Sequence, residues 1–156
     1  MKKGLLLLAL VILLTGCEQD SLTTKAVKYF NEKEIAFDKE WEYCLIIPGG
    51  GCSGCIASGT SFVREMQDFF SKNQNKNVVV FTSTISNKVL KRDLQGVALD
   101  SMNVILDMDN IYTINTPDSK YPIILYLNQG KITRAEKQSP ETTALEELKY
   151  RLNESH

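Results

Sequence analysis

Apolar residues in this chain gather into short runs that are cut off by turn-forming residues. Tyr43-Cys44-Leu45-Ile46-Ile47 is stopped by Pro48-Gly49-Gly50-Gly51, and such a run fits a buried strand better than a helix. After Cys55 the pattern changes: Ile56, Phe62, Val63, Met66, Phe69 and Phe70 form a helical stripe that fades at Ser71-Lys72-Asn73. Val78-Val79-Val80-Phe81 predicts a second buried strand. Asn103 to Leu106 gives a third run, followed by a turn at Asp107 to Asn110. Pro122 to Leu127 is a fourth. It leads through Asn128-Gln129-Gly130 into a short strand from Lys131, which together read as a hairpin. Ser139-Pro140 has the cap-then-proline signature of a helix start, and Ala144, Leu145, Leu148 and Leu152 continue one face. Two segments are less patterned. Asn87 to Gln95 fits a short polar helix, and Ala26 to Trp41 a helical turn or two followed by an edge element. Strand, helix, strand, hairpin and terminal helix make an α/β sandwich with a central sheet flanked by helices.

The first residues follow a different rule. Lys2 and Lys3 precede an unbroken apolar run of ten, Leu5 to Leu14. A membrane-spanning helix needs about 20 such residues, so the run is too short to span and has the proportions of a signal-peptide core. It ends in Leu14-Thr15-Gly16-Cys17, which resembles the lipobox of bacterial lipoprotein precursors. That resemblance implies cleavage before Cys17 and thioether lipidation of its sulfur. The expected organisation is a signal peptide at 1–16, a lipidated cysteine and tether at 17–25, and one domain at 26–156. The mature protein would be held to a bacterial membrane by acyl chains on Cys17, in the cell envelope facing an extracytoplasmic space. Disulfides persist in such a compartment.

Composition narrows the chemistry. A chain of 156 residues with 43% hydrophobic content suits one globular domain. Its 18 basic and 19 acidic residues leave a net charge of −1, so no basic field exists to attract nucleic acid. The single histidine, His156, is the last residue. Imidazole-dependent hydrolases and histidine-rich metal sites are therefore not expected.

Cys52-Ser53-Gly54-Cys55 lies between the first buried strand and the helical stripe, which puts Cys52 near a helix N-terminus. Unpaired backbone N–H groups and the helix dipole favour an anion there and lower the pKa of a thiol. A thiolate is the attacking species in disulfide exchange, and a second cysteine one turn on can resolve the mixed disulfide. The three preceding glycines allow a tight turn and leave the sulfur open to a bulky partner.

The segment from Tyr43 to Gly130 resembles the thioredoxin-like superfamily, most of all its membrane-tethered, extracytoplasmic branch that includes the cytochrome c maturation thioredoxins. Three pieces carry the likeness: the strand, loop and helix around Cys52 and Cys55; the strand Val78 to Phe81; and Tyr121-Pro122 opening a strand that ends in Asn128-Gln129-Gly130-Lys131. The resemblance implies a thioredoxin-like sandwich with a mixed sheet, and Cys52 and Cys55 as the catalytic pair. It also implies a cis Pro122 beside the disulfide, with Tyr121 and Pro122 binding an extended substrate peptide. The implied activity is thiol:disulfide exchange without a cofactor, in the reducing direction that prevails in that branch. Its partners would be protein thiols and disulfides of the cell envelope, with a membrane thiol-transfer protein as electron donor. Several positions depart from the family pattern: Gly51 stands where an aromatic is usual, Ile46 where many relatives carry a buried acid, neither Ser53 nor Gly54 is a proline or histidine, and Tyr121 is bulkier than the usual threonine or valine.

The residues leave a second account open, in which Cys52 and Cys55 form a structural disulfide in a tethered binding module. A zinc site is a poor fit, because it takes about four ligands and only Cys44 remains as a soft donor. The copper-delivery branch spaces its cysteines differently and needs a histidine, and no Thr or Ser stands at peroxidatic spacing before Cys52. Cys44 itself reads as core filling. Asp107 and Asp109 read as a solvated turn, and the acids from Glu141 to Glu147 as a helix start and its exposed face.

Overall fold

The computed structural model describes residues 21–83, 90, 92 and 94–154. Its core is a five-stranded mixed sheet. In chain order the strands are β1 (Tyr43–Pro48), β2 (Asn77–Thr82), β3 (Val104–Asp107), β4 (Ile123–Asn128) and β5 (Lys131–Lys137). They lie side by side as β3-β2-β1-β4-β5. β1 runs parallel to β2, and β2 to β3, while β4 is antiparallel to both β1 and β5. Among the described residues the α-helices flanking the sheet are α1 (Leu22–Glu32), α2 (Ser53–Glu65), α3 (Gln67–Lys72) and α4 (Ala144–Glu154). This is the expected α/β sandwich with the thioredoxin-like arrangement of a mixed sheet between helices.

The central strands explain why their sequences read as solid apolar runs. Both faces of the sheet are covered, so successive side chains enter different cores. Leu45 and Ile47 of β1 join Val79, Phe81 and Ile124 beneath Phe62 and Val63 of α2, Phe70 of α3 and Leu148 of α4. Cys44 and Ile46 point the other way, with Val78, Val80, Ile123 and Leu125, onto Ala26 and Phe30 of α1. The alternation is present in space but invisible in sequence.

Several elements differ from the reading of the sequence. α1 begins at Leu22, inside the segment expected to be a tether, and runs three turns rather than one or two. Ser21 caps it by accepting a hydrogen bond from the Thr24 N–H at 3.2 Å. Thr23 Oγ1 accepts the Ala135 N–H at 2.9 Å, which ties the helix to β5. No edge strand follows it, since residues 35–41 form turns and irregular chain. α4 starts at Ala144, not at Ser139-Pro140. The expected helix at 87–95 falls largely outside the described residues, although Leu90 and Arg92 are helical. The signal peptide, Cys17 and His156 lie outside them too.

Asp107 corrects another expectation. It is buried rather than solvated. Its carboxylate accepts the Ile111 and Tyr112 N–H groups at 2.8 and 2.7 Å, closing the turn after β3. A carboxylate with two backbone donors stays satisfied out of water, which is why an acid is tolerated there. Asp109 is exposed, as expected of a turn.

Candidate functional site: a disulfide pair at the start of α2

The parallel strands all end at one edge of the sheet, and the chain leaves β1 there through Gly49-Gly50-Gly51 into α2. Gly49 donates its N–H to Thr82 O at 2.7 Å, so the loop first leans towards the end of β2. It then turns back. Gly51 has φ +126°, a conformation open to glycine, and a Cβ placed on it would meet Lys120 O at 2.6 Å. The next residue seals this approach: the Cys52 N–H donates to Lys120 O at 3.1 Å. An aromatic side chain at position 51 could adopt neither the φ nor the contact. The departure at Gly51 is thus a requirement of this backbone path.

Cys52 is the N-cap residue of α2, in an extended conformation, and its sulfur accepts the Cys55 N–H at 3.4 Å. Its carbonyl accepts the Ile56 N–H at 2.9 Å, the first full turn of the helix. The two cysteines are bonded to each other, with Cα atoms 5.3 Å apart. They differ in exposure: Cys52 is only partly buried, while Cys55 is buried against the core. No acidic residue occupies the first turn of α2. The Cys55 N–H thus meets the Cys52 sulfur at the helix N-terminus, with no carboxylate in that turn to oppose a thiolate.

Tyr121 and Pro122 lie next to this loop because β4 pairs with β1. Pro122 is buried, and its ring packs on α2 at Gly59, where an added Cβ would come within 3.1 Å of the Pro122 Cγ. Its carbonyl accepts the Gln138 N–H at 2.8 Å. The expected cis bond is not found, since no peptide bond among the described residues is cis. Tyr121 takes φ −112° and ψ 154°, the extended conformation favoured before proline, and Pro122 then precedes β4 without owing a ladder hydrogen bond. The trans bond is the ordinary preference of an X-Pro peptide. The Tyr121 ring is flanked by two ammonium groups, Lys120 Nζ at 5.1 Å and Lys137 Nζ at 5.6 Å from its centre. Lys137 also pairs with Asp118 at 2.6 Å.

No family model, curated protein or solved structure matches this chain.

Cys44 is not part of the site. It is fully buried in β1 on the α1 side of the sheet, opposite the face covered by α2. Burial pushes its thiol well above the ordinary value of 9.0, so it stays protonated and inert. Ile46 likewise belongs to the α1-side core. The sequence pointed to Cys52, Cys55, Tyr121 and Pro122, and all four converge on one end of the sheet. It gave no sign of Lys120, whose carbonyl positions Cys52, or of Gly59, whose missing side chain makes room for Pro122. Only the position of Lys120 directly before Tyr121-Pro122 could have marked it.

Proposed function

We propose that this protein is a lipid-anchored, extracytoplasmic thiol:disulfide oxidoreductase of the thioredoxin-like type, working in the reducing direction. The observation that carries the reading is the asymmetry of the pair. Cys52 caps α2, is partly exposed and receives a backbone N–H on its sulfur, while Cys55 is buried one turn away. In the reduced protein, Cys52 thiolate attacks one sulfur of a substrate disulfide. That bond breaks, the departing substrate thiolate takes a proton from water, and Cys52 is left in a mixed disulfide. Cys55, deprotonated in turn, attacks Cys52 and expels the second substrate thiolate. Two electrons have passed to the substrate, and the enzyme holds the Cys52–Cys55 disulfide. With Ile46 in place of an acid, solvent accepts the Cys55 proton. A membrane thiol-transfer protein would restore the dithiol. The anchor rests on Lys2, Lys3, the Leu5 to Leu14 run and Leu14-Thr15-Gly16-Cys17.

Trapping tests the exchange. With Cys55→Ser in cells, Cys52 should collect substrate proteins as mixed disulfides, seen as high-mass bands that vanish on reduction and in the Cys52→Ser, Cys55→Ser double variant. Their absence would overturn the reading in favour of a loop staple in a binding module. A staple would equilibrate below about −300 mV, whereas exchange pairs lie between roughly −120 and −270 mV. Cys17→Ser, with labelling of acyl chains, tests the anchor separately.

A further inference from the structure

The loop and helix that carry Cys52 and Cys55 are uncharged over a long stretch. From Pro48 to Val63 the chain carries no charged side chain. Among the described residues, the segment before β4 and the end of β5 bring charged side chains to the Tyr121 corner beside the pair. There Lys137 is offset by Asp118 at 2.6 Å and lies in the field of Glu141. Lys120 has no such partner: no carboxylate among the described residues pairs with it, and its ammonium rests over the Tyr121 ring. Its backbone carbonyl holds the Cys52 N–H at 3.1 Å, so its position relative to the attacking sulfur is fixed by the same contact that shapes the loop. The side chain is exposed, and the Lys120 Cα and Cβ lie against Gly51.

We infer that Lys120 is a specificity residue that selects disulfide substrates carrying a carboxylate beside the reacting cysteine. The inference rests on the exchange reading above. An incoming segment that presents its sulfur to Cys52 passes the Lys120–Tyr121 corner, where an acidic side chain finds an uncompensated ammonium and a basic one is repelled. The ammonium lies 5.1 Å from the centre of the Tyr121 ring, which favours that corner over open solvent. The electron balance is unchanged: Cys52 and Cys55 supply two electrons, and the acidic peptide leaves as two thiols.

The test uses the full chain in a neutral detergent, kept reduced by dithiothreitol whose own rate on each peptide is measured without protein and subtracted, and three synthetic disulfide peptides that differ only in Glu, Gln or Lys next to the cysteine. The expected order of kcat/KM is Glu, then Gln, then Lys. A unit charge a few ångströms away in water is worth up to about fivefold, so a spread of roughly tenfold between Glu and Lys is expected. Added salt should compress it. Lys120→Glu should invert the order and Lys120→Gln should flatten it; the second variant keeps the stem over Tyr121 and carries the test if charge reversal unsettles the loop. The ratio between peptides is the readout, since a purely structural role would lower all three together. Equal turnover of the three peptides, or an order unmoved by either variant, overturns the inference and leaves exchange standing. If the wild type reduces none of them, the exchange reading itself fails, and this inference with it.

Discussion

A single glycine decides how the redox loop is held. Gly51 combines φ +126° with a backbone approach to Lys120 that leaves no room for a Cβ. Gly51→Ala must therefore strain the loop, shift Lys120, or both. Backbone strain of this kind costs roughly 1–3 kcal/mol, and a drop of that size in unfolding free energy by urea titration is expected. Because the displaced carbonyl is the acceptor for the Cys52 N–H, the same variant should also change the rate at which Cys52 reacts with iodoacetamide. Gly50 is a control on the same loop, since a Cβ there meets nothing within 4 Å. If Gly50→Ala and Gly51→Ala were equally harmless, the clamp described here would be wrong.

At the scale of elements, the start of α4 shows where local sequence rules succeed and where they stop. Ser139-Pro140 looks like a helix start, yet that stretch forms a hydrogen-bonded turn in which Thr142 Oγ1 donates to Lys137 O at 2.7 Å and accepts the Ser139 N–H at 2.8 Å. The helix proper is capped from outside. Gln138 Oε1 accepts the Leu145 N–H at 3.0 Å, while its Nε2 donates to Thr142 O at 2.8 Å. Gln138→Ala removes these two bonds and a third, from Nε2 to Ser139 O at 3.1 Å, and should destabilise the protein by about 0.5–2 kcal/mol, in line with other lost caps; thermal unfolding would show it. A cap reaching back from seven residues earlier has no short sequence signature, so it was not legible. The strands were, because burial on both faces demands unbroken apolar runs and the turns between them demand Gly, Pro and Asn. α1 was half legible for a related reason. Its buried residues are only Ala26 and Phe30, one turn apart, among polar neighbours. Partly buried Leu22 and Tyr29 complete a stripe at i, i+4, i+7 and i+8, but Leu22 stands among the polar residues read as a tether, so the first turn was lost. The site was legible as residues but not as geometry: the cysteine pair and Tyr121-Pro122 stand out, whereas the trans bond and the Lys120 carbonyl depend on how β4 lies beside β1.

Considered whole, the molecule holds its disulfide at one end of the sheet and its free thiol inside the core, and the buried groups around that thiol set its response to alkaline pH. Cys44 lies in the α1-side core, where burial raises its thiol above 9.0. Tyr112 shares that core and is raised above 10.0, chiefly by burial, as are Tyr43 and Tyr126 on the other side of the sheet. Each is an acid that the fold keeps neutral. A group whose folded pKa lies above its unfolded value stabilises fully below the unfolded value. That contribution is lost as pH rises towards the folded value, because the unfolded chain then releases its proton first. Stability should therefore be flat near neutrality and fall above about pH 9, led by Cys44 and joined by the tyrosines about one unit higher. One such group gives a slope of at most about 1.4 kcal/mol per pH unit. Urea midpoints measured between pH 7 and 10, with the Cys52–Cys55 disulfide kept oxidised, should show this decline. Cys44→Ala should lower the midpoint at pH 7, since it opens a small gap in the core. It should also remove the first part of the fall, so that the two proteins converge as pH rises. Parallel curves would mean that Cys44 titrates as freely in the folded protein as in the unfolded chain, and that the core described around it is not closed.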